Sequence, residues 1–510
     1  MKKIIFLIVV MTTGASFAQT ISEALQYSSV NVTGTARYRA MNGAFGALGG
    51  DLSAIGDNPA SSAVFTNGTA TFTLASDHLE NEASYFGGNT IVSNTDTAIN
   101  QLGGVFILDG TSGTKWNKIT LGFNYDRTSN FNNQYIAQGF NLNSISEYFA
   151  IYAQGVPLSD LETRENESIA QLYQFLGEDQ GYGSQQALLG FQSYILEPTS
   201  YDSNNTTYGV NTVGTVYDQE YTSLSSGSNG KASFNIAAQY GDDLYLGINL
   251  NSHFLDTNRS TVLFESNNAG APPANEGFTN VTDIRFENNL RTLGSGFSFQ
   301  VGAISKFNDN IRLGFTYESP TWYTISEENT QRLSTTSIDD LGIFTTQINP
   351  EVVNVYQDYE IKTPGKYTSS VAYVFGSQGL ISFDYSYRDM TNLRFRPERD
   401  PFFNSKNNEI NDILRAVNTF KLGAEMRSNK WSYRAGGRYE TSPYHNQNLL
   451  GATYGYSAGL GYNFGQIKID VAYDQFFQDS AERLYSVGLI DRAQINKTNS
   501  SLVGTLTLSL

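Results

Sequence analysis

The sequence predicts an all-β protein: a transmembrane antiparallel β-barrel of about fourteen strands, with an N-terminal hatch that plugs the lumen. Three observations support this fold. Many segments alternate strictly between apolar and polar residues, aromatic residues gather at the ends of these segments, and the chain begins with a stretch typical of an export signal. A secreted sandwich or propeller is the alternative, because alternation alone does not distinguish a lipid-facing side from a buried one.

The composition excludes several other classes of protein. The 510 residues include no cysteine, 32 Lys and Arg, and 49 Asp and Glu, which gives a net charge of −17. Without cysteine the chain has neither disulfides nor zinc–thiolate sites. The acidic balance argues against a nucleic-acid partner, which needs a basic surface. With 16% charged and 13% aromatic residues, the chain is also unlike an intrinsically disordered protein.

The first eighteen residues have the pattern of a signal peptide. Lys2 and Lys3 precede an apolar run over residues 4–11, and the small residues Ser16 and Ala18 fit a signal-peptidase site. An N-terminal membrane anchor is the alternative, but the run is shorter than the ~20 residues that span a bilayer. We therefore expect residues 1–18 to be removed and the mature chain to start at Gln19.

The alternating segments predict strands with one apolar face and one polar face. In residues 381–388 the odd positions are apolar or aromatic, as at Ile381 and Phe383, whereas the even positions are polar or charged, as at Ser382 and Asp384. The last such segment, 502–510, ends at Leu510, whereas the closing strand of outer-membrane barrels usually ends in Phe. Other segments of this kind are 244–250, 311–317, 420–427, 431–439, 454–464 and 467–474.

The organisation along the chain follows from where the alternation is present. Residues 19–65 do not alternate and form the predicted hatch, and the barrel is expected over residues 66–510, with strands beginning near Thr69. Alternation lapses at about residues 129–230, which we interpret as a large extracellular loop region, since loops this long are usually functional. Within it, residues 146–152 and 168–176 are predicted to be helical.

A motif near the mature N-terminus resembles the hatch signature of the FadL/OmpP1/TodX family of outer-membrane transporters of hydrophobic compounds. The motif is an Asp-x-Ser followed by Asn-Pro-Ala, and segments 310–320, 362–367 and 417–425 resemble the family in the same order. Among its branches, the chain is most similar to that of the Bacteroidetes. The hatch residues that the resemblance assigns are Gly49, Gly50, Asp51, Ser53, Asn58, Pro59 and Ala60.

The resemblance implies passive uptake of hydrophobic small molecules, such as long-chain fatty acids, across the bacterial outer membrane. The extracellular loops would capture the molecule, which would leave by lateral diffusion through an opening in the barrel wall. Each buried CH₂ contributes about 0.8 kcal/mol, so delivery into the bilayer avoids a costly transfer into water. Outer-membrane lipid and the barrel-assembly machinery are the expected partners.

Two groups of residues are candidate ligand contacts. Arg434 and Arg438 share one face of a predicted strand and could anchor a ligand carboxylate, although lumen-facing charges more often neutralise one another across a barrel. Aromatic residues of the loop region could form a capture groove or simply pack the loops together. The aromatic candidates are Phe140, Phe149, Tyr152 and Phe175.

Other functions have less support in the sequence. The three histidines, His78, His253 and His445, are far apart in sequence, so neither a metal, heme nor other cofactor site is expected, and we expect no enzymatic activity. A hydrolase would require His253 beside an exposed serine. Acidic pairs such as Asp242-Asp243 are interpreted as solvated turns rather than calcium sites. The main alternative is a FadL-like accessory barrel that docks a secretion-system protein.

Overall fold

The computed structural model describes residues 20–29, 31–110, 114–212, 214–267 and 279–510. The predicted signal peptide, residues 1–18, lies outside the described residues. In the part of the chain that the structure describes, none of the helices combines the length and apolar character needed to cross a membrane. The α-helices are α1 (Ile21–Ser28), α2 (Ala36–Ala40), α3 (Ser146–Ala153), α4 (Leu158–Leu161), α5 (Ile169–Asp179), α6 (Tyr182–Gln192) and α7 (Pro401–Ile413), and 3-10 helices cover Ser53–Gly56, Pro59–Val64 and Met390–Asn392.

Strands make up most of the described chain. They are β1 (Thr69–Tyr85), β2 (Gly88–Asp109), β3 (Trp116–Asn130), β4 (Asn133–Asn141), β5 (Leu196–Pro198), β6 (Tyr208–Val210), β7 (Tyr217–Tyr240), β8 (Leu244–Asn267), β9 (Asn280–Lys306), β10 (Ile311–Glu318), β11 (Trp322–Asp339), β12 (Gly342–Ile348), β13 (Asn354–Val355), β14 (Tyr359–Lys362), β15 (Lys366–Val374), β16 (Gly379–Asp389), β17 (Arg394–Arg396), β18 (Ala416–Ser428), β19 (Trp431–Glu440), β20 (Thr453–Asn463), β21 (Ile467–Arg483) and β22 (Arg492–Ser509).

Fourteen of these strands close into an antiparallel barrel, as the sequence predicts. Each strand pairs with its neighbour in the order β1, β2, β3, β7, β8, β9, β10, β15, β16, β18, β19, β20, β21, β22. The last strand then pairs with the first, from Thr69 opposite Ser509 to Ser84 opposite Gln494. Closure joins the first and last strands of the sheet, which is what a lipid environment requires.

The two faces of the wall strands differ as the alternation predicts. On β16, Ile381 and Phe383 are exposed on the outer surface, whereas Ser382 and Asp384 are buried in the lumen. Aromatic pairs lie at the strand ends, for example Trp116 against Tyr240 with ring centroids 5.0 Å apart. An outer apolar band with aromatic girdles is the form of a transmembrane barrel.

The two ends of the barrel differ in the length of their connections. The end that holds both chain ends of the wall has short turns, such as 241–243, 429–430 and 464–466. The opposite end carries 131–216, 319–365 and 390–415. Short turns are periplasmic and long loops extracellular in outer-membrane barrels, which sets the orientation of the chain.

The extracellular end differs from the prediction in its boundaries. The predicted helices at 146–152 and 168–176 are confirmed as α3 and α5, but β4 and the first half of β7 occupy part of the predicted loop region 129–230. Helix α7 lies where only a loop was expected. Strands that rise above the membrane have no lipid-facing side, so they lack the apolar alternation that reveals a strand within it.

The segment before β1, residues 20–29 and 31–68, lies inside the barrel and is called the hatch below. Helix α2 contacts β19 to β22 on one side of the lumen, and the 3-10 helix Pro59–Val64 contacts β7, β8 and β9 on another. Most side chains of residues 34–63 are buried. The hatch thus fills the lumen across its width, as the predicted fold class requires.

Candidate functional site

Two arginines of α2 bind the barrel wall. Thr35 caps this short helix by accepting a hydrogen bond from the Tyr38 backbone N–H, 3.2 Å away. Arg37 Nε lies 2.8 Å from Glu425 Oε2, and Arg39 Nε lies 2.8 Å from Asp474 Oδ2. Because the partners are on β18 and β21, these ion pairs fix α2 against one side of the lumen.

The ion pair of Arg37 continues into a network on the wall. Arg434 Nε donates to Glu425 Oε2 over 2.6 Å, and its Nη1 donates to Asp470 Oδ1, also over 2.6 Å. Arg427 Nη2 lies 2.5 Å from the other oxygen of Glu425. Arg434 is therefore paired with two wall carboxylates, as expected of lumen charges that offset one another, and the hatch contributes a further cation.

Asp57 forms a second ion pair between the hatch and β18. Its carboxylate accepts from the Tyr38 hydroxyl and lies 3.3 Å from Lys421 Nζ. Burial opposes ionisation of Asp57, but Lys421, Lys366 and the Tyr38 hydroxyl outweigh it and hold the pKa of Asp57 below its ordinary value. Asp57 is therefore charged near neutral pH and ties the hatch to β18.

The Asn-Pro-Ala part of the motif forms the contact with β9. Asn58 is fully buried; its Nδ2 donates to Gly46 O over 2.7 Å and to Ala303 O over 3.1 Å. Its Oδ1 accepts from the Ala60 backbone N–H, and Pro59 occupies the first turn of the 3-10 helix. The side chain of Asn58 thus links two parts of the hatch to each other and to β9.

The remaining motif residues shape a turn inside the lumen. Gly49 and Gly50 have φ angles of +62° and +67°, a backbone conformation that residues other than glycine rarely adopt. Asp51 Oδ1 accepts from the Thr35 hydroxyl over 2.7 Å and from the Ser53 backbone N–H over 3.0 Å. The structure therefore places all seven predicted hatch residues inside the barrel, where they bind the hatch to itself and to the wall.

Glycines of the wall make room for the hatch. A Cβ atom added to Gly302 of β9 would lie 2.1 Å from Asn58 Oδ1, and one added to Gly247 of β8 would lie 2.4 Å from the Pro59 carbonyl carbon. The same close approach occurs between Gly436 and Met41. The sequence carried this signal, because glycine inside a strand often marks the approach of another backbone.

The barrel wall has an interruption between β2 and β3. These strands pair only from Gln101 opposite Asp126 to Asp109 opposite Lys118. Above that point, β2 pairs with β1 alone, and β4 pairs with β7. Side chains bridge the interval: Arg127 Nη1 lies 2.6 Å from Asp96, and Asn81 Nδ2 donates to Asn133 Oδ1 over 2.7 Å. We call this interval the wall gap.

The wall gap lies at the outer edge of the apolar band. Below it, Ile99, Leu102 and Phe106 are exposed on the outer surface of β2. Above this level, the outward side chains of β2 at Ser93, Thr95 and Thr97 are polar, and Ile91 near the tip of the strand is apolar and exposed. The gap therefore opens at the height where lipid meets the extracellular medium.

The N-terminal part of the hatch covers the inner side of the wall gap. The Asn31 backbone N–H donates to Thr128 O over 3.1 Å, and the Ser129 hydroxyl donates to Ser29 O over 3.1 Å. The Gly34 backbone N–H donates to Asn100 Oδ1 over 3.1 Å. These bonds involve both strands that border the gap, so residues 29 and 31–34 take the place of the missing strand contacts.

A polar cavity lies between the hatch and the wall. Its volume is about 60 Å³. Ser53, Gly56 and Asp57 of the hatch border one side, and Asp126 and Lys231 of the wall border the other. Lys231 lies directly after the predicted loop region 129–230 and was not among the predicted site residues. The feature that could have identified it is a lone cation on the polar face of β7.

The aromatic candidates of the outer loops do not converge on one groove. Phe149 is fully buried in a cluster with Phe286 and Tyr485, and Tyr152 packs against this cluster. Phe140 and Phe175 are 58% and 45% exposed on the outer surface. The structure thus brings two of the four together and places the other two outside the packed cluster.

The arginine candidates lie far below these loops, beside the hatch. Arg434 is buried between its two carboxylate partners. Arg438 lies on the same face of β19, with its guanidinium carbon 5.9 Å from the Phe476 ring centroid, and its Nε has no hydrogen bond. Of the two, Arg438 has the freer guanidinium.

The histidines show no arrangement for catalysis or metal binding. His253 lies on β8, as predicted, and its Nε2 is 2.8 Å from the hydroxyl of Ser298, which is fully buried. A hydrolase would need an exposed serine at this position. Over the described ranges, no group of three or more His, Asp or Glu side chains is arranged to hold a metal ion.

Several solved structures share the fold. The P. putida toluene transporter TodX matches with a TM-score of 0.51 at 12% identity, covering 95% of this chain and 99% of TodX. A Pseudomonas aeruginosa FadL homologue (TM-score 0.47, 11% identity, 94% and 98% coverage) and the Ralstonia pickettii toluene transporter TbuX (0.47, 14%, 94% and 99%) also match. At these identities the likeness concerns the fold. A search of curated protein sequences gives no match.

The family model described as outer membrane protein transport protein (OMPP1/FadL/TodX) matches residues 203–507, more than half of the chain. This family agrees with the closed fourteen-stranded barrel. The protein is therefore an outer-membrane β-barrel, and the chain belongs to the OMPP1/FadL/TodX family of outer-membrane transport proteins.

Proposed function

We propose that the protein takes up hydrophobic small molecules passively and releases them sideways through the wall gap, with long-chain fatty acids as the leading class. The observation that carries this proposal is the cover over the gap. Ser29, Asn31 and Gly34 are held there by single hydrogen bonds to Ser129, Thr128 and Asn100, respectively. Each such bond contributes only about 1 kcal/mol net, so this segment can move without unfolding the barrel.

The height of the gap supports release into lipid. A fatty chain that left through a wet pore would meet water, whereas each CH₂ kept in an apolar environment contributes about 0.8 kcal/mol. Because the gap begins beside Ile99 and Leu102, a molecule that leaves there meets the outer edge of the hydrocarbon layer. Outer-membrane lipid is the acceptor in this proposal, and no energy source is required.

Capture would occur at the extracellular end. Phe149 and Tyr152, in the cluster formed by α3 and its neighbours, and the exposed Phe140 and Phe175 remain predicted contacts for the apolar part of the molecule. The cluster is closely packed in this structure, so entry requires the loops to separate. The barrel-assembly machinery, which would read the C-terminal strand β22, is a proposed partner only during biogenesis.

Uptake of labelled palmitate by cells that lack their own FadL tests the proposal. Cells that express the full chain should accumulate the label several times faster than cells that express the same chain with oxidised cysteines linking residues 31 and 128. Equal rates would contradict release through the wall gap. A stable secretion-system partner in a pull-down, together with unchanged uptake, would favour the docking alternative.

A further inference from the structure

Two acids lie opposite each other on one border of the wall gap. Asp77 of β1 and Asp96 of β2 are cross-strand partners in direct register, and Asp77 reaches the hatch inside the lumen. Both carboxylates are partly withdrawn from water, with 11% of the Asp77 side chain and 26% of the Asp96 side chain exposed. Because like charges directly opposite each other on a sheet repel, this arrangement requires cations beside the two carboxylates.

Each of these acids has its own arginine, and the two arginines come from different parts of the molecule. Arg127 of β3, on the other border of the gap, places Nη1 2.6 Å from Asp96 Oδ2. Arg39 of α2 places Nη2 3.5 Å from Asp77 Oδ1. Within the residues that the structure describes, neither acid has a second ion pair. Arg127 and Asp96 therefore form the ion pair that spans the gap, while Arg39 offsets the charge of the neighbouring acid.

Asn130, the last residue of β3, connects the two ion pairs. Its Nδ2 lies 3.3 Å from Asp96 Oδ2 and 3.5 Å from Asp77 Oδ2. Its Oδ1 accepts a hydrogen bond from Arg127 Nη2 over 2.9 Å. A single amide group therefore separates the Arg127 guanidinium from Asp77. The hydroxyl of Ser501 donates to Asp77 Oδ1 over 2.5 Å and fixes this carboxylate between the two arginines.

The presence of α2 has a definite effect on the charge around Arg127. With α2 in its site, Arg39 offsets the charge of Asp77 and also repels the guanidinium of Arg127. With α2 displaced, Asp77 and Asp96 both attract Arg127. In a site partly shielded from water, charges this close interact more strongly than in bulk water. The departure of Arg39 therefore strengthens the attraction across the gap, whereas the loss of a packing contact alone would weaken it.

We propose that Arg39 controls the wall gap through Asp77. While α2 is in its site, Asp96 alone holds Arg127, and the gap is at its easiest to open. When α2 leaves its site, Asp77 becomes a second partner of Arg127 and the gap is held more tightly, so the gap and the lumen do not open together. Arg39 and Asp77 are thus positioning residues, since they act through Arg127. The inference rests on the proposed function and adds a control on release through the wall.

The distance across the gap, measured by pulsed electron paramagnetic resonance on the full chain in lipid nanodiscs, tests this inference. Spin labels on Glu80→Cys of β1 and Glu220→Cys of β7 lie on exposed positions at either side of the gap, and the chain has no other thiol. Asp96→Asn should populate a wider gap, because Arg127 loses its partner. Adding Arg39→Gln should reduce the wide population again by about threefold, because Asp77 is then available to Arg127.

Asp474→Asn is the matched control for Arg39→Gln. It breaks the other ion pair of Arg39 but leaves Arg39 beside Asp77, so added to Asp96→Asn it should not narrow the gap. A general loosening of the hatch would widen the gap in both double variants. An unchanged distance in Asp96→Asn, or no narrowing by Arg39→Gln, would overturn the inference. The distance reports on the gap whether or not palmitate is carried, so a wild type that fails to take up palmitate would contradict the proposed function alone.

Discussion

Arg39 of the hatch and Asp474 of β21 form a two-point ion pair inside the barrel: Nε lies 2.8 Å from Oδ2, and Nη2 lies 2.9 Å from Oδ1. Both side chains are buried, and Asp77 of β1 lies 3.5 Å from the same guanidinium. The hatch is therefore held in the lumen by charges on the wall, while the segment that covers the wall gap is held by a few hydrogen bonds.

Replacing Asp474 by Asn should loosen α2. Removing one partner of a buried pair leaves the other charge uncompensated, at a cost of about 3–5 kcal/mol, which Asp77 partly offsets. Hydrogen exchange of backbone amides 36–40 should become at least tenfold faster in Asp474→Asn. The same change at Asp309, in an exposed turn, is the control. Unchanged exchange would show that the ion pair does not hold the hatch.

Enlarging a wall glycine should displace the hatch without disturbing the barrel. In Gly302→Ala the new methyl group would meet Asn58 Oδ1, so we expect a loss of about 1–3 kcal/mol in hatch stability. Gly504→Ala, on β22, meets no atom within 4 Å and serves as the control. Limited proteolysis measures the difference: cleavage within residues 31–65 should increase for Gly302→Ala alone. Equal cleavage of the two variants would contradict the packing described here.

The sequence predicts the strands of the barrel wall better than the contacts of the hatch inside the lumen. Alternation at Ile381 and Phe383 identifies a strand because lipid demands an apolar side at every second residue. Asn58 was assigned to the hatch through a family resemblance. Its partners Gly46 and Ala303 depend on how far the chain folds back into the lumen, which no local pattern encodes. Lys231 was missed for the same reason: its neighbours Asp126 and His253 are distant in sequence and meet only across paired strands.

Acidification should weaken the ion pair between Asp57 of the hatch and Lys421 of β18. The pKa of Asp57 is lower in the folded protein than its ordinary value of 3.8, so its contribution to stability is present above that value and is lost as the pH falls below it. The groups that face Asp57 are Tyr38, Lys231, Lys366 and Lys421. The protection of hatch amides against hydrogen exchange, relative to the intrinsic exchange rate at each pH, should therefore be steady from pH 7 to pH 5 and decrease below about pH 4.

The variant Asp57→Asn tests whether the charge of Asp57 causes this pH dependence. This variant should exchange faster than the wild type at pH 7, and the difference should shrink as the pH falls through the lowered pKa of Asp57, because both then carry a neutral side chain. A difference that persists unchanged at low pH would assign the effect to packing rather than to charge.

The two kinds of loop aromatic should respond differently to truncation. Phe149→Ala removes a fully buried ring from the outer cluster and should destabilise it by about 3–5 kcal/mol. Phe175→Ala removes a largely exposed ring, so stability should change by less than about 0.5 kcal/mol. If Phe175 contributes to capture, palmitate uptake should nevertheless fall in Phe175→Ala. Unchanged uptake and unchanged stability would remove Phe175 from the candidate contacts.

A reversible cross-link between hatch and wall tests the central claim most directly. The chain has no cysteine, so Asn31→Cys with Thr128→Cys introduces the only thiols, on two residues joined by a backbone hydrogen bond. Thr419→Cys with Glu440→Cys joins two fully paired wall strands and is the control. We predict that oxidation abolishes palmitate uptake by the first variant, that reductant restores it, and that the control is unaffected. Undiminished uptake by the oxidised, verified cross-link would contradict release through the wall gap.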